Sequence, residues 1–238
     1  LEDYTAMEKA TKSIETLNSD QVTGIMGQLG KDTAQRYNEF SVDKGLGQFG
    51  LDAEQLESAG YLMPGTVDRF LSDPSSTSTD SFGNTTTQLE KTLASSTVWT
   101  NKNGASDLNS FLKDPVLQQD AVQDVYNTNV SQLRANGVVK GTESADDLGG
   151  LLNASVLYGV DNTVRWSKNE DLSTEKSNGI KQSVRNGQYA VGFVNEKITP
   201  DLSGFGSPGG YAGTTDRAGV VEAGNALISN NKIPKPKY

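Results

Sequence analysis

The side chains that could do chemistry in this chain are limited by two absences. The 238 residues include no histidine and no cysteine. This composition excludes a Ser-His-Asp triad, a Cys-His pair, an imidazole-bound zinc ion, a disulfide and a thiolate nucleophile. Proton transfer by an enzyme of this composition would have to use Asp, Glu, Lys or Tyr. We predict neither a metal site nor a cofactor.

The stretch GLGQFG at 45–50 has the spacing that most suggests a site. It places the polar Gln48 and the aromatic Phe49 in a tight glycine turn, directly before a helix signal. Asp52 and Gln55 have the spacing of a capping box, which is typical of a helix start. Two interpretations are open at this point. Either the turn is an ordinary loop in which Gln48 bonds nearby backbone and Phe49 packs inward, or it forms one wall of a ligand cleft.

Apolar spacing predicts that the elements around this turn are helices, so that the fold is mainly α. We expect Leu51, Leu56 and Tyr61 to face inward. The pair Asp114-Pro115 is typical of a helix start. A polar segment at 72–88 indicates a surface insertion. The expected helices cover 2–18, 20–29, 52–60, 106–112, 114–137 and 144–159.

The composition changes after Trp166, and this change predicts three parts for the chain. These are an N-terminal helix or linker at 1–19, a helical domain at 20–166, and an extended, glycine-rich tail at 167–238. We expect the tail to be ordered by contact with another subunit, because it has few apolar residues of its own. Within it, 167–187 is polar and turn-rich, 188–198 favours a strand, 203–216 is a glycine-rich loop, 217–229 favours one small helix, and 233–238 is extended by its prolines.

The charge of the chain argues against partners that are polyanions. The net charge is −9 and the isoelectric point is near 4.6. Nucleic-acid binding draws much of its affinity from Lys and Arg that neutralise phosphates, so we predict no nucleic-acid partner. No apolar run approaches the length of a membrane span, and the N-terminal residues lack the basic-then-apolar pattern of a signal peptide.

Three blocks of the sequence, taken in order, resemble a known family. The turn at 45–50 is similar to the Gly-Leu-Met-Gln motif of lytic transglycosylases and goose-type lysozymes. It also resembles the Gly-Lys-Tyr-Gln-Phe-Gly turn in lysozyme-like domains of tailed-phage virion proteins, which continue to a Gly-Tyr-Leu ending as at 60–62. The block 99–133 resembles their Trp-Thr-Gly-Lys-Asp-Gly and Phe-Leu-x-x-Pro-x-x-Gln-x-x-Ala helix pair, and 148–166 resembles their small-residue helix. The resemblance covers about 20–166 and implies a lysozyme-like helical domain with a groove for peptidoglycan.

The resemblance also implies where a catalytic acid would stand. In this family a single glutamate at the end of a helix protonates the glycosidic oxygen. Counting back from Gly45 places that glutamate at Gly30, so the sequence departs from the family at this position. The nearest acids, Asp32 and Glu39, are the remaining catalytic candidates. Glu39 has aromatic neighbours in sequence that would desolvate it, as a general acid near neutral pH requires.

Three functions follow from the resemblance. The leading interpretation is a structural virion component in a phage tail or baseplate, which contacts other virion proteins in several copies and has lost catalysis. The second is an active virion-associated peptidoglycan hydrolase that uses Glu39 or Asp32. The third is a module that binds the cell wall without cutting it. In the last two, the resemblance implies that Gly47, Gln48, Phe49 and Tyr61 contact the sugar polymer.

Overall fold

The computed structural model describes residues 14–35, 37–41, 45–69, 76–79 and 85–195, with the side chains of 193–195 outside the description. In these ranges the protein is mainly helical, which confirms the predicted class. Within the same ranges, no helix has both the length and the apolar character needed to cross a bilayer. The predictions for the segments 203–216, 217–229 and 233–238 lie outside the described residues.

The described ranges contain eight α-helices, three short 3-10 helices and four short strands. The strands pair as two antiparallel hairpins, β1 (Phe40–Ser41) with β2 (Gly45–Leu46), and β3 (Thr77–Thr79) with β4 (Thr85–Thr87). The second hairpin belongs to the predicted surface insertion, and its β3 residues are exposed. The helices are α1 (Ser19–Thr33), α2 (Ala53–Ser58), α3 (Gln88–Ala94), α4 (Leu108–Lys113), α5 (Pro115–Ala135), α6 (Ala145–Tyr158), α7 (Val160–Ser167) and α8 (Thr174–Asn195).

Side-chain caps explain where several helices begin. The predicted capping box at α2 is confirmed, because the Gln55 amide N–H donates to Asp52 at 2.8 Å and the Asp52 N–H donates to the Gln55 side chain at 3.0 Å. The predicted start of α5 is also confirmed, with Asp114 as its cap and Pro115 as its first residue. The helix predicted from Ser106 instead begins after Asp107, whose carboxylate accepts the Ser110 N–H at 2.7 Å.

Two predictions at the start of the chain need correction. The predicted helix at 2–18 lies mostly outside the described residues, and its described end is a turn in which Ile14 and Leu17 exchange backbone hydrogen bonds of 2.9 and 2.8 Å. Helix α1 does not end at Gly30 as predicted. It continues through Thr33 and ends at Ala34, whose φ of 52° is left-handed.

Helix α5 contributes many of the buried residues, and the predicted inward faces are confirmed. Leu51, Leu56 and Tyr61 are fully buried. Trp99 joins the same core, where its indole N–H donates to the Leu93 carbonyl at 2.7 Å. The apolar stripe predicted for α5 is buried as expected, and it consists of Ala121, Val122, Val125, Val130 and Leu133.

The largest correction concerns residues after Trp166. The predicted strand at 188–198 is wrong over its described part, and the predicted turn-rich segment at 167–187 is helical from Thr174 onward. These residues form the 22-residue helix α8, which packs against α6 and α1. The compact unit therefore continues past the predicted boundary at residue 166, and an extended tail cannot begin before α8 has ended.

Helices α6 and α8 approach so closely that their backbones are in contact. A Cβ atom added to Gly187 would lie 2.4 Å from the Gly149 carbonyl oxygen, and one added to Gly150 would lie 2.7 Å from the Val184 carbonyl oxygen. Real Cβ atoms do not approach backbone so closely, so these positions accept only glycine unless the helices separate. This contact seats α8 on the rest of the fold.

We predict that Gly187→Ala destabilises the protein although alanine is the better helix former. The gain in helix propensity is at most about 1 kcal/mol, whereas overpacking a closed interface typically costs about 1–3 kcal/mol. Urea denaturation should show a lower free energy of unfolding. Gly192→Ala, on the same helix, is the matched control, because its added Cβ meets nothing within 4 Å. The control should be neutral or slightly stabilising, and equal effects at both positions would contradict the close contact.

Candidate functional site

The turn at 45–50 is attached on two sides by backbone hydrogen bonds. The Gly47 N–H donates to the Glu39 carbonyl oxygen at 2.8 Å, and this bond extends the β1–β2 pairing. Leu46 and Leu51 exchange N–H to carbonyl bonds of 2.8 and 3.1 Å across the base of the turn. The last turn of α1 lies against the same loop, where the Thr33 hydroxyl donates to the Gln48 carbonyl oxygen at 2.6 Å. The turn is therefore held in one place relative to the end of α1.

Gln118 of α5 ties this turn to the core. Its side chain is 1% exposed and satisfies three backbone groups. Its Oε1 accepts the Gln48 N–H at 3.1 Å. Its Nε2 donates to the carbonyl oxygens of Tyr37 at 2.7 Å and Phe111 at 2.9 Å. One amide thus holds the chain before β1, the glycine turn and the end of α4.

Gly47 is required by this arrangement. Its φ is +65°, and a Cβ added to it would lie 2.1 Å from Gln118 Oε1. Any side chain would displace the glutamine that bonds the next residue in the turn. The glycine of this motif therefore has a local structural reason that is independent of any ligand.

The residues predicted to contact sugar are placed unequally. Gln48 keeps a half-buried side chain, whereas Gly47 is buried and Phe49 is 1% exposed with its ring in the core. Tyr61 is fully buried, and its hydroxyl donates to Asp124 Oδ2 at 3.0 Å. Burial, followed by the charge of Asp124, raises the pKa of Tyr61 above its ordinary value. In this structure only Gln48 of the four offers a side chain that a ligand could reach.

Gly30, the position at which the resemblance places the acid, lies next to the turn. A Cβ added to Gly30 would lie 3.9 Å from the Gln48 carbonyl oxygen and 4.0 Å from Phe49 Cε1, both ordinary contacts. Position 30 near the end of α1 and the glycine turn therefore lie against each other, at a distance that a Cβ atom would bridge without a clash. Position 30 itself supplies no carboxyl.

Asp32 points toward helices α6 and α8. Its Oδ1 accepts from Gln28 Nε2 at 2.7 Å and from Asn186 Nδ2 at 3.1 Å. Its Oδ2 accepts from Asn153 Nδ2 at 3.0 Å. Both carboxylate oxygens are therefore engaged by amide donors, and the carboxylate joins α1, α6 and α8. We name the set Gln28, Asp32, Asn153, Ser183 and Asn186 the Asp32 cluster.

Glu39 lies in the segment that leads into β1, and its side chain is exposed. The prediction that aromatic neighbours desolvate Glu39 is therefore wrong. Tyr37, one of those neighbours, is itself 38% exposed. Asp32 is held by residues of α1, α6 and α8, and Glu39 is exposed and contributes its backbone carbonyl to the turn.

The residues that organise this region were not predicted as site residues, although the sequence contains signals for two of them. Gln118 is the glutamine of the Pro-x-x-Gln motif that begins at Pro115, and the motif marks it as a fixed polar position. Asn153 interrupts an otherwise small or apolar helix, and a buried amide of this kind requires hydrogen-bond partners. Asn186 lies in a segment that the sequence analysis predicts to be turns, so its role could not be inferred.

One further surface feature lies away from the glycine turn. A shallow depression is lined by Glu54, Glu57, Pro64 and Asp68 among others. Glu57 has a structural role there, since its carboxylate accepts the N–H groups of Gly65 and Val67, each at 2.7 Å. In the described part of the chain, no group of three or more acidic side chains is placed to hold a metal ion.

Comparison with protein-family models, with curated proteins and with solved structures found no match to this chain. The resemblance to lysozyme-like phage domains therefore rests on the three sequence blocks quoted above. The contacts of the described residues are independent of that resemblance and show what those blocks do in this chain.

We predict that Gln118→Ala lowers the free energy of unfolding by about 2–4 kcal/mol, because it leaves buried backbone groups unsatisfied at about 1–3 kcal/mol each. Urea denaturation measures this loss. Gln132→Ala is the matched control, since Gln132 is exposed on the same helix and should change stability by less than about 0.5 kcal/mol. A Gln118→Ala protein as stable as the control would contradict the role assigned to this amide.

We predict that Asp32→Ala loosens α8, because the change removes three hydrogen bonds, among them the one from Asn186 of α8. Amide hydrogen exchange followed by mass spectrometry should become faster in peptides from 174–195 than in peptides from α5. Lys31→Ala, an exposed neighbour on the same helix, should leave the exchange pattern unchanged. Uniformly faster exchange across the domain would show a general loss of stability instead.

Proposed function

We propose that this chain is a non-catalytic structural component of a tailed-phage virion, present in several copies in the tail or baseplate and built on a lysozyme-like helical domain. The single observation that carries the loss of catalysis is that Gly30 stands where the resemblance places the acid, facing the Gln48 turn. The mainly helical fold and the position of the glycine turn against the end of α1 support the resemblance.

The chemistry of glycoside cleavage explains why this observation weighs heavily. The reaction needs a carboxylic acid that is held protonated by a partly apolar environment and aimed at the glycosidic oxygen. Asp32 has the fixed position but accepts hydrogen bonds on both oxygens from three amides. Glu39 has a solvated side chain. Neither combines position, burial and a free oxygen.

The burial of the expected contact residues supports an assembly role over a wall-binding role. Sugar-binding sites commonly present exposed aromatic faces on which a saccharide can stack, whereas here Phe49 and Tyr61 lie in the core. The side chain of Gln118 and the carboxylate of Asp32 are used for internal hydrogen bonds. The region thus supports a rigid building block better than a recognition surface.

We predict that the purified protein releases no soluble sugars from peptidoglycan and does not clear a suspension of bacterial walls. Asp32→Asn and Glu39→Gln should give the same baseline as the unaltered chain. Hen lysozyme in parallel provides the positive control. Release of sugars that is abolished by Glu39→Gln, or by Asp32→Asn with the fold intact, would replace this proposal with the hydrolase.

A second arm tests the assembly role itself. Mass spectrometry of purified tailed-phage particles that encode this sequence should detect the chain in several copies per particle. Absence of the chain from purified particles would exclude a structural virion role.

Gly30→Glu supplies a carboxyl at position 30, and slow sugar release by that variant would indicate that a groove persists. Retention of the unaltered protein on peptidoglycan beads without sugar release would instead favour a wall-binding module.

A further inference from the structure

In four places along this chain an asparagine is followed directly by a glycine. These pairs are Asn103-Gly104, Asn136-Gly137, Asn178-Gly179 and Asn186-Gly187. Asparagine is a chemically labile residue. It is most labile before glycine, because a residue without a Cβ atom lets its nitrogen approach the asparagine side chain freely. Each pair is therefore a candidate site of spontaneous deamidation, and the surrounding structure decides which of them reacts.

The reaction closes a five-membered ring within one Asn-Gly pair. The glycine nitrogen loses its proton and bonds to the side-chain carbon Cγ, while the bond from Cγ to Nδ2 breaks and ammonia leaves with that proton. Water then opens the succinimide at either carbonyl, which gives aspartate or isoaspartate. Ring closure brings the glycine nitrogen to the same side as Cβ, which the ψ of a helix or tight turn does not allow. The backbone must therefore open locally before the reaction.

The two pairs in α8 are protected by the helix. Both glycines lie inside Thr174–Asn195, where each backbone N–H donates to the carbonyl four residues earlier. Gly187 is also in backbone contact with α6, and Asn186 Nδ2 donates to Asp32 at 3.1 Å. Reaction at either pair therefore requires α8 to open.

The pair Asn136-Gly137 is protected by the C-terminal cap of α5. The Gly137 N–H donates to the Arg134 carbonyl oxygen at 2.9 Å, and Asn136 Nδ2 donates to the Gln132 carbonyl oxygen at 2.9 Å. The Leu133 carbonyl oxygen accepts the N–H groups of the next two residues at 2.9 and 3.3 Å. Rotation of ψ at Asn136 would break the bonds on its C-terminal side together, so this pair opens only with the end of α5.

The pair Asn103-Gly104 is held less firmly. It lies in a single turn of 3-10 helix, Lys102–Gly104, and such turns have poorer hydrogen-bond geometry than an α-helix. The Gly104 N–H donates to the Asn101 carbonyl oxygen at 3.2 Å, and Asn103 is exposed. The φ of Asn103, 52°, is left-handed, a conformation that is costly for L residues. Opening at this pair therefore changes one exposed turn.

We propose that Asn103 is a site of spontaneous deamidation and that it reacts before the other three Asn-Gly pairs of this chain. The opening that the reaction requires is confined to one turn at Asn103, whereas elsewhere it involves the end of α5 or helix α8. Reaction through a locally opened state follows the population of that state, which is highest where the fewest contacts are lost. The inference does not depend on the proposed function.

The product changes the contact between this turn and the core. Asn103 Nδ2, the nitrogen that leaves as ammonia, donates to the hydroxyl oxygen of the buried Tyr61 at 2.9 Å. The Tyr61 hydroxyl donates its own proton to Asp124 at 3.0 Å. A carboxylate at position 103 would face an oxygen whose proton is already in use, and it would be repelled by the charge of Asp124. Deamidation thus removes a hydrogen bond that joins the turn to the core.

Peptide mass spectrometry of the full chain, incubated at mildly alkaline pH, tests the order of reaction. Deamidation at Asn103 should be at least about tenfold faster than at Asn136, which corresponds to a difference of about 1.4 kcal/mol in opening free energy. Asn101 has the same left-handed backbone but precedes lysine, and it should stay unreacted. In concentrated urea the four pairs should react at comparable rates. Reaction at another pair as fast as at Asn103, or an order that persists in urea, would overturn the proposal.

A pair of variants tests the effect of the product. Asn103→Asp should lower the melting temperature by about 2–4 °C, the shift expected of one lost hydrogen bond in a domain of this size. Asn101→Asp is the matched control, because it adds the same charge to an exposed residue of the same turn, and it should shift the melting temperature by less than about 1 °C. Equal shifts for the two variants would contradict the assigned loss of the Tyr61 contact.

Discussion

The backbone contact between α6 and α8 is the constraint on which the rest of this structure depends. Because Gly149 and Gly187 have no side chains, α8 can lie directly on α6 and reach α1 beyond it. That position brings Asn186 to Asp32 and Ser183 to Asn153. The polar cluster therefore follows from van der Waals contact between helices, and hydrogen bonds then fix the register that close packing permits.

Asp32, a candidate catalytic acid in the sequence analysis, thus has a structural role in which it joins helices. Charged groups in partly buried positions are tolerated when hydrogen bonds replace the water they lose. Asp32 has such bonds from three amides, and each bond also ties α1 to itself or to another helix. The glycine turn shows the same pattern, since Gln118 and Thr33 satisfy its backbone from two sides. In both places, polar side chains are used for contacts between segments that are far apart in the sequence.

Elements could be predicted from the sequence where the signals were local. They could not be predicted where they depend on contacts that form only in the folded protein. The Asp52 and Asp114 caps could be predicted because a cap depends on residues within one helical turn. Helix α8 was missed because Ser, Asn and Gly have weak helix propensity, and its stability comes from packing. A signal was present in Ile180, Val184, Gly187 and Val191, whose three- and four-residue spacing becomes helical once glycine is counted as a packing residue. The orientation of Asp32 could not be predicted, because it depends on partners far away in the sequence.

That distance has a consequence for how the chain acquires its structure. The bond between Asn186 and Asp32 joins residues 154 positions apart, and α8 is the last described helix to leave the ribosome. Loops of such length make closure slow relative to the formation of local helices. During synthesis, the faces of α1 and α6 that pack against α8 thus stay uncovered until α8 emerges. A nascent chain of this kind is exposed to aggregation until translation has passed residue 195.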